Sequence, residues 1–321
     1  MLARMRPARL AALALALSIT GCGDDQASEE TAARQLGTRA EPSIGARVET
    51  FIAAPDYATL TSLLRQGHAV AREQFGPHRL RYNATIRTGP AKIDDAQPLP
   101  DVTVDQPIYE RFVVTDVLEL LWGSQPGEPP RLALDQHNEH EHGRALVLIG
   151  EREWANLDGR GWFERPLETD LWQLWADDAQ HAVLDLIELA GPHADIDAIA
   201  LEDLDGRPAV RVSLRQSEQH HRERTVDGPT PWRHDAEVQV ISASVVLDRA
   251  TGLWRRASIE LSWSFRDSAH RDLRGHARLE GSVDPLGEAP AIMPPVDAQL
   301  TPERDRPELL RERLLDGLAG P

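Results

Sequence analysis

The sequence predicts an α+β fold, in which one antiparallel sheet is joined by an early helix and by another in the middle of the chain. Two observations support this prediction. After residue 78, apolar and polar residues alternate with a period of two in many short runs, and turn dipeptides such as Asp158-Gly159 separate neighbouring runs. Helical spacing is confined to two blocks and strands do not alternate with helices, so a parallel βαβ sheet is not expected.

The first helix is expected over residues 56–75, where Asp56 can act as the N-cap and a Gly-Pro pair stops the apolar repeat. The second is expected over residues 171–189, with Thr169 as its cap and Gly191-Pro192 after its end. Both blocks carry one broad apolar face, which is typical of helices that pack on a sheet.

The strands follow from the period-two runs and from the turns that bound them. We expect strands over residues 79–88, 109–122, 131–140, 145–157, 161–164, 200–204, 208–214, 238–247, 253–265 and 274–283. Residues 302–318 are expected to form a charged terminal helix.

The first residues have the composition of a secretory signal peptide. Three arginines precede the apolar run 10–17, and small residues follow it up to Cys22. The run is too short to span a bilayer, which needs about 20 apolar residues. The ending Ile19-Thr20-Gly21-Cys22 resembles the bacterial lipobox, which implies cleavage before Cys22 and attachment of palmitate-type acyl chains to its thiol. The alternative is ordinary secretory cleavage, which would leave a free thiol.

These patterns divide the chain into four parts. Residues 1–21 are the lipoprotein signal peptide, residues 22–45 are an acidic tether with little to pack, residues 46–298 are one domain, and residues 299–321 are a charged tail. Gly23 stands where inner-membrane lipoproteins of enterobacteria carry Asp, so the periplasmic face of the outer membrane is the favoured location.

The net charge of −17 excludes some partners. Such a chain repels phosphate backbones and anionic headgroups, so no nucleic-acid binding is expected. Cys22 is the only cysteine, so an intrachain disulfide is impossible. No nucleophile elbow, zinc-protease motif or phosphate loop occurs, so we expect neither an enzyme nor a cofactor.

The order of elements resembles the periplasmic lipoprotein-carrier superfamily, which includes the Lol carrier and receptor proteins and the LppX-like lipoproteins. The likeness covers roughly residues 45–298. It consists of the helix before the strand 79–88, the hairpin 147–163 with its glycine and aromatic pair, the helix after that hairpin, the turn 247–254 and the closing segment 292–298.

The resemblance implies a single curved antiparallel sheet that forms an unclosed β-barrel covered by helices, with an apolar interior that binds acyl chains or other lipophiles. Plain core packing is the alternative role for the residues concerned. The candidate cavity residues are Tyr82, Ile86, Val113, Val147, Ile149, Trp162, Leu171, Trp172, Trp175, Ile259, Leu261 and Trp263.

The chain departs from a soluble carrier of this superfamily in three respects. It carries an anchor at Cys22, polar insertions at residues 89–107 and 216–235, and an acidic tail. An anchored receptor for a lipid or other lipophile therefore fits better than a shuttle. The alternative is an envelope protein with the same fold and no cargo, which acts through a protein partner or in envelope structure.

A third hypothesis is a metal-binding periplasmic module. His137, His140 and His142 form the densest cluster of metal-ligand residue types, and neutral imidazoles bind Zn²⁺ or Cu²⁺ well. The cluster matches no established spacing, however, so a solvated polar loop is the favoured interpretation.

Overall fold

The structure is a computed structural model that describes residues 43–90, 112–139, 143–165, 171–224, 236–266 and 272–300. In these ranges the strands form one curved sheet in the order β12-β6-β5-β4-β3-β2-β1-β11-β10-β9-β8-β7. The pairing is antiparallel except between β12 and β6. The two edge strands, β12 and β7, belong to opposite ends of the sheet, so the barrel stays unclosed, as predicted.

The helices span Ile44–Ala53 (α1), Tyr57–Leu64 (α2), His68–Phe75 (α3) and Leu171–Ala190 (α4). The strands span His78–Pro90 (β1), Phe112–Trp122 (β2), Arg131–Asn138 (β3), Gly143–Ile149 (β4), Arg152–Leu157 (β5), Phe163–Arg165 (β6), Ala194–Leu204 (β7), Arg207–Gln216 (β8), Glu237–Asp248 (β9), Trp254–Arg266 (β10), Asp272–Pro285 (β11) and Gln299–Leu300 (β12).

The predicted first helix is divided into α2 and α3. Asp56 caps α2 as predicted, because its carboxylate accepts a hydrogen bond of 2.8 Å from the Thr59 N–H. The break lies at Gly67, where the Asp177 carboxylate of α4 accepts a hydrogen bond from the His68 N–H. A Cβ at Gly67 would lie 2.8 Å from that carboxylate, so a larger residue here would require the Asp177 side chain to shift.

Other boundaries also differ from the expectations. Helix α1 begins at Ile44, near the end of the predicted tether, because its Val48 and Phe51 are fully buried. The turn at Gly150, with φ of 61°, divides the predicted strand 145–157 into β4 and β5. The Thr169 cap and the helix 302–318 lie outside the described residues.

The main core lies between the four helices and one face of the sheet. Each of the neighbouring strands β1 to β4 contributes a fully buried leucine to it, namely Leu80, Leu118, Leu132 and Leu146. The Trp254 indole donates a hydrogen bond of 2.9 Å to the Gln180 carbonyl oxygen of α4. Helix α4 is therefore fixed across the sheet by both apolar packing and a buried hydrogen bond.

A second and smaller core lies on the opposite face. There Ile292, from the segment after β11, packs with Val147 and Trp154. Among the described helices, none combines the length and the hydropathy needed to cross a membrane.

Candidate functional site

Eight of the twelve predicted cavity residues lie on the helix-covered face, five of them by strand alternation and three on helix α4. The set comprises Tyr82, Ile86, Leu171, Trp172, Trp175, Ile259, Leu261 and Trp263. The other four, Val113, Val147, Ile149 and Trp162, lie on the opposite face or in its small core. The structure therefore does not bring all twelve together, because β2 and β4 direct Val113, Val147 and Ile149 away from the helices.

Aromatic packing fills the end of the helix-covered face near the start of α4. Trp122 stacks on Trp172 with ring centroids 6.1 Å apart. The Arg72 guanidinium lies 5.1 Å from both rings, which is within the range of cation–π attraction. These residues pack with one another and serve as part of the core.

Trp263 lies flat over a neighbouring strand. It pairs in register with Gly275, and a Cβ built at Gly275 would overlap the indole ring. The missing side chain therefore makes the space that the ring occupies. Trp263 is thus held by β11, away from the Trp122–Trp172 stack.

The helix-covered face is less completely covered toward the other end of the strands. Tyr82, Ala84 and Phe265 are only partly buried against the core, and so are Ala182 and Leu186 of α4. Ile86 on the same strand face is 38% exposed. We call Tyr82, Ala84, Ile86, Phe265, Ala182 and Leu186 the apolar strip. Each of these side chains leaves apolar area exposed that a lipophile could contact.

Polar side chains border this strip on one side. Arg144 donates a hydrogen bond of 2.8 Å to Gln136, lies 3.2 Å from the Asp178 carboxylate, and contacts the Trp175 ring at 4.9 Å. Burial raises the pKa of the Tyr82 hydroxyl, and nearby Asp116 raises it further. Burial also raises the pKa of Asp116. The strip therefore combines apolar side chains with a few fixed polar groups, as ligand sites commonly do.

The opposite face carries a cavity of about 660 Å³. Two neighbouring rows of side chains form its floor, the first across the seven strands from β8 to β3 and the second across the six from β9 to β3. The first row, in register order, is Arg211, Val246, Arg256, Ser282, Arg81, Glu119 and Asp135. The second row is Ser244, Ser258, Glu280, Asn83, Val117 and His137.

Sequence reasoning missed this cavity. The alternation does indicate that Arg81 and Arg256 lie on the side of their strands that faces away from the core. Their proximity depends on the pairing of β11 with β10 and of β1 with β11, the second of which joins residues about 200 positions apart. The signal is a set of arginines at outward positions, and it becomes interpretable only once the register is known.

The predicted histidine cluster is only partly described. His137 lies on β3 with its Nδ1 atom 3.6 Å from Asp135, while His140 and His142 lie outside the described residues. Within the described ranges, no three side chains of His, Cys, Asp or Glu come together in a way that could hold a metal ion.

Ser217, His221 and Asp195 also meet, but their geometry differs from that of a hydrolase. The His221 Nε2 atom lies 3.1 Å from Ser217 Oγ and 3.0 Å from Asp195 Oδ1, so one ring nitrogen faces both groups. Ser217 donates its proton to Asp195 at 2.8 Å and accepts a hydrogen bond from the Gln219 N–H. A catalytic triad places base contacts on different ring nitrogens, so we interpret this cluster as a turn-stabilising network.

No protein-family model matches this chain, and no curated protein matches it. Solved structures that are similar to it at low identity include the following two. A crystal structure of MucB is 15% identical over 76% of this chain and 66% of that chain, with a TM-score of 0.23. The Pseudomonas aeruginosa MucA/MucB complex is 13% identical over 75% and 63%, also with a TM-score of 0.23.

The chain thus spans slightly less than two thirds of the solved chains that it matches. A TM-score of 0.23 is too low for these matches to indicate a function.

Proposed function

We propose that this protein is a lipoprotein of the bacterial envelope, anchored through Cys22, that binds a lipid, an acyl chain or another lipophile on the helix-covered face of its sheet. The observation that carries the proposal is the apolar strip, in which partly exposed apolar residues of β1, β10 and α4 continue the buried core. The proposed activity is binding without catalysis, at the periplasmic face of the outer membrane.

The burial of the strip supports a lipophile over a polar ligand. Five of its six members already contact the core on one side, and Ile86 is partly exposed beside them, so a bound acyl chain would cover the remaining apolar area. Each buried CH₂ group contributes about 0.8 kcal/mol, so even a short stretch of chain would bind measurably. Arg144 and Asp178 at the border could then orient the polar end of the ligand.

Native mass spectrometry tests this proposal. The chain is secreted with the Cys22→Ala substitution, which removes acylation, and is purified without detergent. We expect a mass increment from a co-purified lipid, and saturable binding of the fluorescent fatty acid parinaric acid after delipidation.

A matched pair of variants locates the site. Ile86 is 38% exposed on the helix-covered face, and Val117 is 39% exposed on the opposite face. Ile86→Glu should weaken parinaric acid binding by roughly tenfold or more, because a carboxylate would be buried beneath the chain. Val117→Glu should leave it unchanged. Equal binding by both variants would contradict the proposed location.

The anchor needs its own experiment. Cells that express the unaltered gene and are supplied with labelled palmitate should incorporate the label into this protein, and the Cys22→Ala variant should not. A labelled Cys22→Ala protein would show that the lipid is attached elsewhere.

A further inference from the structure

The cavity on the opposite face has a charge order that the lipophile proposal does not use. In its first row, arginines occupy every second strand: Arg211 on β8, Arg256 on β10 and Arg81 on β1. Glu119 and Asp135 follow on the next two strands. Three guanidinium groups therefore alternate with uncharged residues over five strands, and two carboxylates end the row.

The arginines are held in place by carboxylates outside the cavity floor. Glu202 accepts two hydrogen bonds from Arg211, at 2.9 and 3.1 Å. Asp284 lies 2.5 Å from Arg256 and 3.9 Å from Arg81. Fixed guanidinium groups lose little side-chain freedom on binding, which favours affinity.

Donors remain for a ligand after these contacts. A guanidinium carries five N–H donors, and the contacts to Glu202 use two of those on Arg211. Arg81 donates its Nε–H to Ser282 at 3.1 Å, and its side chain is 58% exposed. Arg81 is therefore the arginine of the row that is best placed to bind an added carboxylate.

The neighbouring row supplies uncharged hydrogen-bonding groups as well as one carboxylate. Asn83, Ser244 and Ser258 lie in it, together with Glu280. Amide and hydroxyl groups of this kind can pair with the N–H and C=O groups of a peptide backbone. The carboxylates of the floor disfavour a purely anionic ligand.

We propose that this cavity binds an extended peptide segment of a partner protein, with acidic residues over the arginines and a basic residue over Glu119 and Asp135. Strands lie about 4.8 Å apart, so arginines on alternate strands are about 10 Å apart, which corresponds to about three residues of extended peptide. The charges of the peptide should therefore recur at every third residue.

The probe is a fluorescent ten-residue peptide with glutamate at positions one, four and seven, lysine at position ten, and serine or threonine between them. Its control has the same length with lysine and glutamate exchanged. Fluorescence anisotropy with the purified full-length chain should show saturable binding of the first peptide, and the charge-exchanged peptide should bind at least tenfold more weakly. Equal binding of the two peptides would overturn the proposal.

Variants connect the binding to the row. Arg81→Ala should lower affinity roughly tenfold, because it removes a charge-assisted hydrogen bond to a carboxylate of the peptide. Arg278→Ala is the matched control, since Arg278 is similarly exposed on β11 of the same face but lies outside the cavity lining. Equal losses in the two variants would show only non-specific charge attraction and would overturn the proposal.

A second variant tests the direction of the peptide. Asp135→Lys should weaken binding of the lysine-ended probe and should restore binding to a probe that ends in glutamate.

Citrate serves as the competitor for a simple anion site. Displacement of the probe by citrate at equimolar concentration would assign the cavity to small anions and would contradict a peptide ligand.

Discussion

The two faces of this sheet are made by the same strands but differ in chemistry. On β10, Ile259 and Leu261 are fully buried beneath the helices, while Ser258 and Glu260, which alternate with them, face the other side. One face is apolar, covered and suited to a lipophile. The other carries charged residues in register and an open cavity. The difference shows that alternation along single strands can give the two faces of one sheet different chemistry.

The largest contrast between the faces should appear when the same carboxylate is placed on each. Leu261→Asp should lower the free energy of unfolding by about 4 kcal/mol or more, because it buries an unpaired charge in the core. Ser264→Asp on the opposite face, which pairs in register with Arg274, should change it by less than about 1 kcal/mol. Urea unfolding measures both, and similar losses would show that the faces are not distinct.

Lowering the pH should reduce the free energy of unfolding, because two buried histidines lie on the helix-covered side of the sheet. Burial lowers the pKa of His68 well below its ordinary value and lowers that of His78 to about 4, and neighbouring Arg72 lowers both further. Unfolded histidines take up protons near pH 6.5, so the unfolded state binds more protons between about pH 6.5 and 4. The free energy of unfolding should therefore fall as pH falls through this window, by about 3 kcal/mol for His78.

His78→Asn provides the comparison, because its amide can replace the hydrogen bond that His78 Nδ1–H donates to the Gly76 carbonyl oxygen. We expect a flatter dependence of unfolding free energy on pH in this variant. The same slope in both proteins would rule out His78 as the source.

Disturbing the packing of Trp263 should lower the free energy of unfolding by less than Leu261→Asp does. Gly275→Ala forces the indole away from β11, and we expect a loss of about 1 to 3 kcal/mol together with a change in tryptophan fluorescence. Gly287→Ala is the control, because a Cβ there meets nothing within 4 Å. Unchanged fluorescence in Gly275→Ala would mean that the ring does not lie over the glycine.

The smallest effect is expected at the protein surface. Arg249 makes two hydrogen bonds, at 2.5 and 2.9 Å, to the Glu49 carboxylate of α1. Solvent-exposed pairs of this kind contribute little to stability, so Arg249→Ala should leave the melting temperature unchanged within error. A clear decrease would show that this pair holds α1 against the sheet.

The local chemistry of the sequence was enough to predict much of the fold. Asp56 caps a helix as expected, and Asp158-Gly159 and Asp205-Gly206 adopt the positive φ angles of tight turns. The division at Gly67 could not be predicted, because it depends on Asp177 of α4, more than 100 residues away. The early start of β7 at Ala194 was missed because its first residues lack a clear alternation.

The candidate sites were less predictable than the fold. Ile259 and Leu261 were correctly placed on an apolar face, but Val147 and Trp162 belong to the small core that Ile292 covers on the other side. Alternation indicates which residues share a face of one strand, and it does not indicate which face each strand turns toward the helices. The first row of the cavity floor likewise could not be predicted, because its residues come together only through the register between strands that are distant in sequence.

A crossed binding experiment tests the separation of the two faces most directly. Parinaric acid and the acidic-to-basic peptide are titrated into the unaltered chain, Ile86→Glu and Val117→Glu. Ile86→Glu should lose the fatty acid and keep the peptide. Val117→Glu, which adds a negative charge to the cavity floor, should keep the fatty acid and lose affinity for the peptide. Parallel loss of both ligands in either variant would contradict two independent binding surfaces.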